Sequence, residues 1–247
     1  MPPRFLELDV LRGIAIVFMI VYHFIFDWNF FVQPVVDLNQ GWWFYFGRFT
    51  AALFIGLAGL SLTLSAHRSA HAYTEKWRAL VQKGIFILGL GMIISLITYI
   101  TFPAYAIWFG VLHLMGVSLI VGAFLVHRPT LTLLAGILFT GLGVLFSTIL
   151  HSTLPFWPIL LPVSFQTFDY FPLFPWLGVF LLGMSAGNYL YPQGNPHSLL
   201  GWKKTNVITN LFAELGRKSL MIYFVHQPVL IGLLLAMGKI NPSVFGA

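Results

Sequence analysis

Seven apolar runs of bilayer-spanning length dominate this chain, at about 10–31, 42–64, 84–102, 104–126, 131–150, 172–190 and 219–238. Each is long enough for a helix to cross a hydrocarbon layer of roughly 30 Å. A segment in lipid must satisfy its own backbone hydrogen bonds, so runs of this kind fold as helices. The 247 residues are 58% hydrophobic and only 8% charged, far below the roughly 25% of a soluble domain. The fold expected is an all-α polytopic membrane helix bundle of about seven transmembrane helices, formed as a single domain over residues 1–247. The first run has no small-residue cleavage site after it and reads as a retained helix.

The basic residues set an expected topology. Arg4 precedes the first run; Arg68, Lys76, Arg78 and Lys83 fill the second connection; Arg128 lies in the fourth; Lys203, Lys204, Arg217 and Lys218 lie in the sixth. The first, third and fifth connections hold no Lys or Arg. This alternation places the N-terminus in the cytoplasm and the C-terminus outside, with Lys239 as an exception. The net charge of +6 then reflects cytoplasmic loops and anionic lipid headgroups, not nucleic-acid binding. The stretch 154–168 carries Pro155, Pro158 and Pro162; it is expected to lie on the outer face or to re-enter the membrane.

Polar residues inside the apolar runs carry the functional reading. In LDVLRGIAIVFMIVYHFIFD, His23 falls only about 20° around a helix from Arg12, and Asp9 and Asp27 each about 60°. The four form one stripe, with His23 roughly 16 Å beyond Arg12. Such groups face a bundle interior or a wet cavity, not lipid. His113 and His226 also sit mid-run, the latter beside Tyr223, Gln227 and Pro228. A structural reading stays open for each: Arg12 paired with Asp9, and a histidine hydrogen-bonded between helices. His67, His71, His127, His151 and His197 fall in connections or at span ends.

Other signals are weaker. GMSAG, Gly183–Gly187, matches the G-x-S-x-G nucleophile pattern but lacks the strand–turn–helix context that pattern needs. Gly183 and Gly187 also offer a small-residue packing face, compatible with a homodimer or with a helix of the same chain. The chain has no cysteine, and its helical histidines lack close i, i+4 pairing, so no metal is expected.

RFLELDVLRGIAIVFMIVYHF resembles the opening of the transmembrane acyltransferases, with their Arg-x10-His element at Arg12 and His23. Together with WFGVLHLMGVSL, FDYFPLFPWLGVFLLGMSAG and LGRKSLMIYFVHQPV, it is similar to bacterial and archaeal relatives of heparan-α-glucosaminide N-acetyltransferase. The resemblance implies an acyl-CoA-dependent O- or N-acyltransferase of the prokaryotic cytoplasmic membrane. Acyl-CoA, typically acetyl-CoA, would be the co-substrate, and a sugar or lipid-linked hydroxyl or amine on the far side the acceptor. Arg12, Lys203, Lys204, Arg217 and Lys218 would meet the coenzyme phosphates. His23 would act as general base, oriented by Asp27 or Asp169. His226, Tyr223 or His113 would hydrogen-bond the thioester oxygen. A proton-coupled transporter and a haem protein with two axial histidines use the same residue types and remain open at this stage.

Overall fold

A computed structural model describes residues 5–68, 73–149, 166–196, 202 and 206–241. Arg4, His71, His151, Trp157, His197, Lys203, Lys204, most of the stretch 154–168 and the side chains of Arg68 and Lys76 lie outside the described residues. The described chain is helical: α1 (Leu6–Asp27), α2 (Gly41–Arg68), α3 (Tyr73–Thr101), α4 (Val111–Leu125), α5 (Pro129–Ile149), α6 (Leu173–Leu190), α7 (Val207–Arg217) and α8 (Ser219–Ala236). Six of these, α1 to α3, α5, α6 and α8, are long and apolar enough to cross a bilayer. The fold is therefore an all-α polytopic membrane bundle. It divides into two compact units, residues 1–57 with 197–245, and residues 58–196.

In the first unit α1 is flanked by α7 and α8. Glycine permits the α1–α7 contact: a Cβ on Gly13 would fall on the Phe212 carbonyl, and one on Gly216 on the Asp9 carbonyl. Residue 13 meets 212 and residue 9 meets 216, so the two helices run antiparallel with their backbones in contact. Lost side-chain area is offset by close van der Waals approach, as in small-residue interfaces in membranes. The first part of α2 joins through Phe46, whose ring lies 5.3 Å from that of Phe18. Gly47 leaves room for the Tyr22 ring. α1 continues as a π-helical turn, Trp28–Val32, in which Gln33 N donates to Trp28 O at 3.0 Å. The loop beyond is pinned by Asn29, whose Nδ2 donates to Val36 O (2.6 Å) and whose Oδ1 accepts from Val35 N (2.9 Å).

The second unit joins α3 to α4, α5 to α6, and α6 to both α4 and the second part of α2. Each seam again uses glycine: Gly84 with Gly116, Gly136 and Gly178 between α5 and α6, and Gly59 and Gly187 between α2 and α6. Gly187 thus packs on Leu60 and Thr63 of the same chain. α3 and α5 turn Phe86, Ile93, Ile97, Leu134 and Leu138 outward, the face expected of helices against lipid.

Two elements differ from the hydropathy pattern. The expected span 104–126 is a helix only from Val111, 15 residues long, or about 22 Å. Residues before it are drawn into an extended pairing: Phe109 bridges Tyr170, Phe171 N donates to Phe109 O (3.0 Å) and Phe168 N to Tyr105 O (3.0 Å). Ten of the fifteen α4 residues are buried, so this helix is solvated by protein and need not match the bilayer thickness. The stretch 191–218, read as a connection, contains α7. Its start is fixed by a reciprocal cap: Asn206 Oδ1 accepts from Thr209 N (2.8 Å), and Thr209 Oγ1 accepts from Asn206 N (2.9 Å).

Candidate active site

His23 lies on α1, one turn before Asp27. Its Nδ1 is 2.9 Å from the Met19 carbonyl. A carbonyl only accepts, so Nδ1 carries the hydrogen, and in the neutral imidazole Nε2 then keeps its lone pair. His226 on α8 repeats the arrangement, with Nδ1 2.6 Å from the Tyr223 carbonyl. Pro228, inside α8, cannot donate to the Phe224 carbonyl. The two imidazoles meet edge to face, ring centroids 4.8 Å apart and planes at 79°. His226 Nε2 is buried without a partner. The result is a pair of adjacent imidazoles, each tied to its own helix through Nδ1.

Tyr22 and Tyr223 pack their rings against this pair, 5.9 Å from His23 and 5.6 Å from His226. Asp27 is fully buried. Its Oδ1 accepts from Gln227 Nε2 at 2.5 Å, so its hydrogen-bond partner is the amide of α8. At the other end of α1, Arg12 Nη1 pairs with Asp9 Oδ1 at 2.5 Å, with about 25% of the Arg12 side chain exposed. Arg217 and Lys218 share Glu214, at 2.6 and 3.2 Å. Hydrogen bonds from these two cations hold the Glu214 carboxyl below the usual carboxylate range. Near the C-terminal end of α1 an open cavity of about 620 Å³ is lined by Phe26, Asn29, Phe30, Asp37 and Asn39 among others.

His113 and Asp169 belong to the second unit and form a different cluster. His113 Nδ1 accepts from Gly110 N at 3.2 Å. Ser95 Oγ donates to Ile107 O at 2.5 Å, which leaves its lone pair to accept from His113 Nε2 at 3.2 Å. His113 is thus the opposite tautomer, with both ring nitrogens engaged. Asp169 Oδ2 accepts from Val111 N at 2.8 Å; burial pushes its carboxyl up to about 6. Together they satisfy the first N–H groups of α4.

The candidates therefore fall into two sets: His23, Asp27, Tyr223 and His226 in one unit, His113 and Asp169 in the other. Gln227, passed over as a site residue, joins the first set. Its signal was an amide at intramembrane depth beside a proline. Ser185 of the GMSAG stretch donates to Leu181 O at 3.1 Å, within its own helix.

No curated protein and no solved structure matches the chain. The model of the family described as "Heparan-alpha-glucosaminide N-acetyltransferase, catalytic" matches residues 4–228. That range takes in α1 through α7 and α8 as far as Pro228, with both histidines of the pair, and so the chain belongs to this family of membrane-embedded acetyltransferase homologues.

Proposed function

We propose that the protein transfers an acyl group, typically acetyl, from acyl-CoA in the cytoplasm to a hydroxyl or amine acceptor at the opposite face of a prokaryotic cytoplasmic membrane. The observation that carries this reading is the His23–His226 pair, two imidazoles in contact whose Nδ1 atoms are tied to backbone carbonyls. With both Nδ1 atoms so occupied, the Nε2 lone pairs of the neutral rings, that of His226 buried without a donor, suit a substrate that brings its own N–H or O–H. His23 Nε2 removes that proton as the acceptor attacks the thioester carbonyl. The C–S bond breaks, and the imidazolium returns the proton to the leaving thiolate, giving the acylated acceptor and free coenzyme A. The Tyr223 hydroxyl, whose ring packs on His226, can donate to the developing oxyanion. His113 and Asp169 then serve as supports of α4.

The basic residues favour donor binding at the start of α1, on an N-terminal cytoplasmic side. Arg12, a quarter exposed there, with Lys203, Lys204, Arg217 and Lys218, supplies charge for phosphates. The cavity at the far end of α1, with its stacked Phe26 and Phe30 rings, suits the acceptor. The edge-to-face contact leaves no space for a macrocycle between His23 and His226, which disfavours this pair as haem ligands. The test is acyl transfer or acyl-CoA hydrolysis by detergent-purified protein. His23→Ala should lower turnover by about 10²–10⁴-fold, while acyl-CoA still raises the melting temperature. Turnover equal to that of the wild type would remove the assignment.

A further inference from the structure

Three buried acceptor atoms without a donor gather where α1 meets α8: Asp27 Oδ2, Gln227 Oε1 and His226 Nε2. Two of them belong to side chains already joined, because Gln227 Nε2 donates to Asp27 Oδ1 at 2.5 Å. An ionised carboxylate and a primary amide make only one such bond, since their remaining oxygens are both acceptors. A carboxylic acid and a primary amide make two. One hydrogen on Oδ2 therefore satisfies both orphaned oxygens. Charge points the same way: the ion pairs among the described residues join Arg12 to Asp9, and Arg217 and Lys218 to Glu214, while Asp27 is fully enclosed. An enclosed carboxylate facing only an amide is costly, and the neutral acid is not.

We propose that Asp27 holds a proton on Oδ2 and donates it to Gln227 Oε1, closing a cyclic acid–amide pair that makes Gln227 a positioning residue for the two histidines. Asp27 lies one helical turn beyond His23, and Gln227 directly follows His226. The pair thus ties α1 to α8 at the level of the imidazole contact and sets its spacing. His226 Nε2 stays open for substrate. Asp27 then acts as a neutral tie between helices, and His23 is oriented by the Met19 carbonyl instead of a carboxylate. The proton and the pairing follow from the hydrogen-bond inventory alone; the consequence for turnover rests on the acyltransferase reading.

Infrared difference spectroscopy of the full chain in detergent at neutral pH tests the pair directly. Wild type minus Asp27→Asn should show the C=O stretch of a protonated carboxyl, sensitive to deuterium exchange. Gln227→Leu should shift that band to the higher frequency of a carboxyl with a weaker hydrogen bond. Difference bands of an ionised carboxylate would overturn the proposal, as would a protonated band that Gln227→Leu leaves unmoved. If Asp27→Asn does not fold, the comparison of wild type with Gln227→Leu carries the test. In turnover, Gln227→Leu should lower kcat on the order of tenfold or more, with KM for acyl-CoA little changed. An unchanged kcat alongside the expected bands overturns the positioning role and leaves the proton in place.

Discussion

Replacing Asp169 by asparagine isolates the electrostatics of the α4 start. Burial raises this carboxyl from 3.8 to about 6, so the folded protein binds the proton more tightly than the unfolded chain does. Stability attributable to this group is then greatest below pH 3.8, falls as pH rises through about 6, and is constant above. The difference of 2.2 corresponds to at most about 3 kcal/mol. The residue as a whole is partly exposed, so about 1–3 kcal/mol is the working range. Asparagine keeps the acceptor for Val111 N, at 2.8 Å in the wild type, and discards the charge. Against it stands the attraction between a carboxylate and a helix N-terminus, typically 0.3–1 kcal/mol and up to about 2. Desolvation is the larger effect, so Asp169→Asn should melt higher than wild type at pH 7.5 and converge with it near pH 4. Asp169→Ala, which loses the acceptor, should melt lower than Asp169→Asn throughout. The assay is thermal unfolding in detergent across pH 4–8, read as the difference between variants so that other titrating groups cancel. An asparagine variant less stable at pH 7.5, with the wild-type pH slope intact, would show that the helix terminus outweighs desolvation.

Other expectations follow from the same contacts. His226→Ala should reduce acyl transfer by about 10²–10⁴-fold, and the double variant with His23→Ala should be no slower than the worse single variant, because the two rings act as a unit; additive losses in steady-state kinetics would separate their roles. At Gly116 a Cβ would lie 2.8 Å from the Gly84 carbonyl and from Leu88 on α3, so Gly116→Ala should cost about 1–3 kcal/mol. Gly89→Ala, with nothing within 4 Å, should be neutral or mildly stabilising in the same melting assay. Asn206→Ala removes the cap of α7 and should cost about 1 kcal/mol, seen as faster amide exchange confined to that helix.

The long apolar helices were legible because lipid leaves a chain few alternatives, and hydropathy reports that constraint directly. What hydropathy does not report is whether apolar surface faces lipid or protein. Residues 104–110 read as part of a span, yet they pair with 167–171 while α4 is buried inside its unit. α7 was missed for the opposite reason. Its eleven residues are too short and too polar for a spanning window, and the Asn206–Thr209 cap that marks its start is a signal of a different kind. The stripe of α1 needs only helix geometry, and Arg12 and His23 do lie on one helix, Leu6–Asp27. The partner amide of Asp27 lies 200 residues away, and no pattern within one helix can reveal it.

His23, His113 and His226 show where helix position alone decides chemistry. His23 and His226 lie in helix interiors, where the nearest backbone groups to Nδ1 are the carbonyls three and four residues earlier. Such a carbonyl holds the hydrogen on Nδ1 and turns the basic Nε2 away from the helix. His113 is the third residue of α4, where the nearest backbone group is the N–H of the capping Gly110. That donor claims the Nδ1 lone pair and leaves Nε2 as a donor, here to Ser95. Read this way, an interior histidine presents a base to the bundle and a first-turn histidine presents a cap. The distinction needs only the helix start, and Gly110 three residues ahead of His113 supplies it. Moving the start of α4 back by one turn, by replacing Gly110 with a good helix former, should therefore free His113 Nδ1. The Asp169 carboxylate and the Ile107 Cγ2 methyl both crowd the space a Cβ at Gly110 would need, so this requires the Gly110→Ala, Asp169→Ala pair together with a turn of the Ile107 side chain. In that double variant the His113 ring should change tautomer, read as the exchange of its two ring-nitrogen shifts by nuclear magnetic resonance. An unchanged tautomer would mean that Ser95, and not the position in the helix, sets the ring.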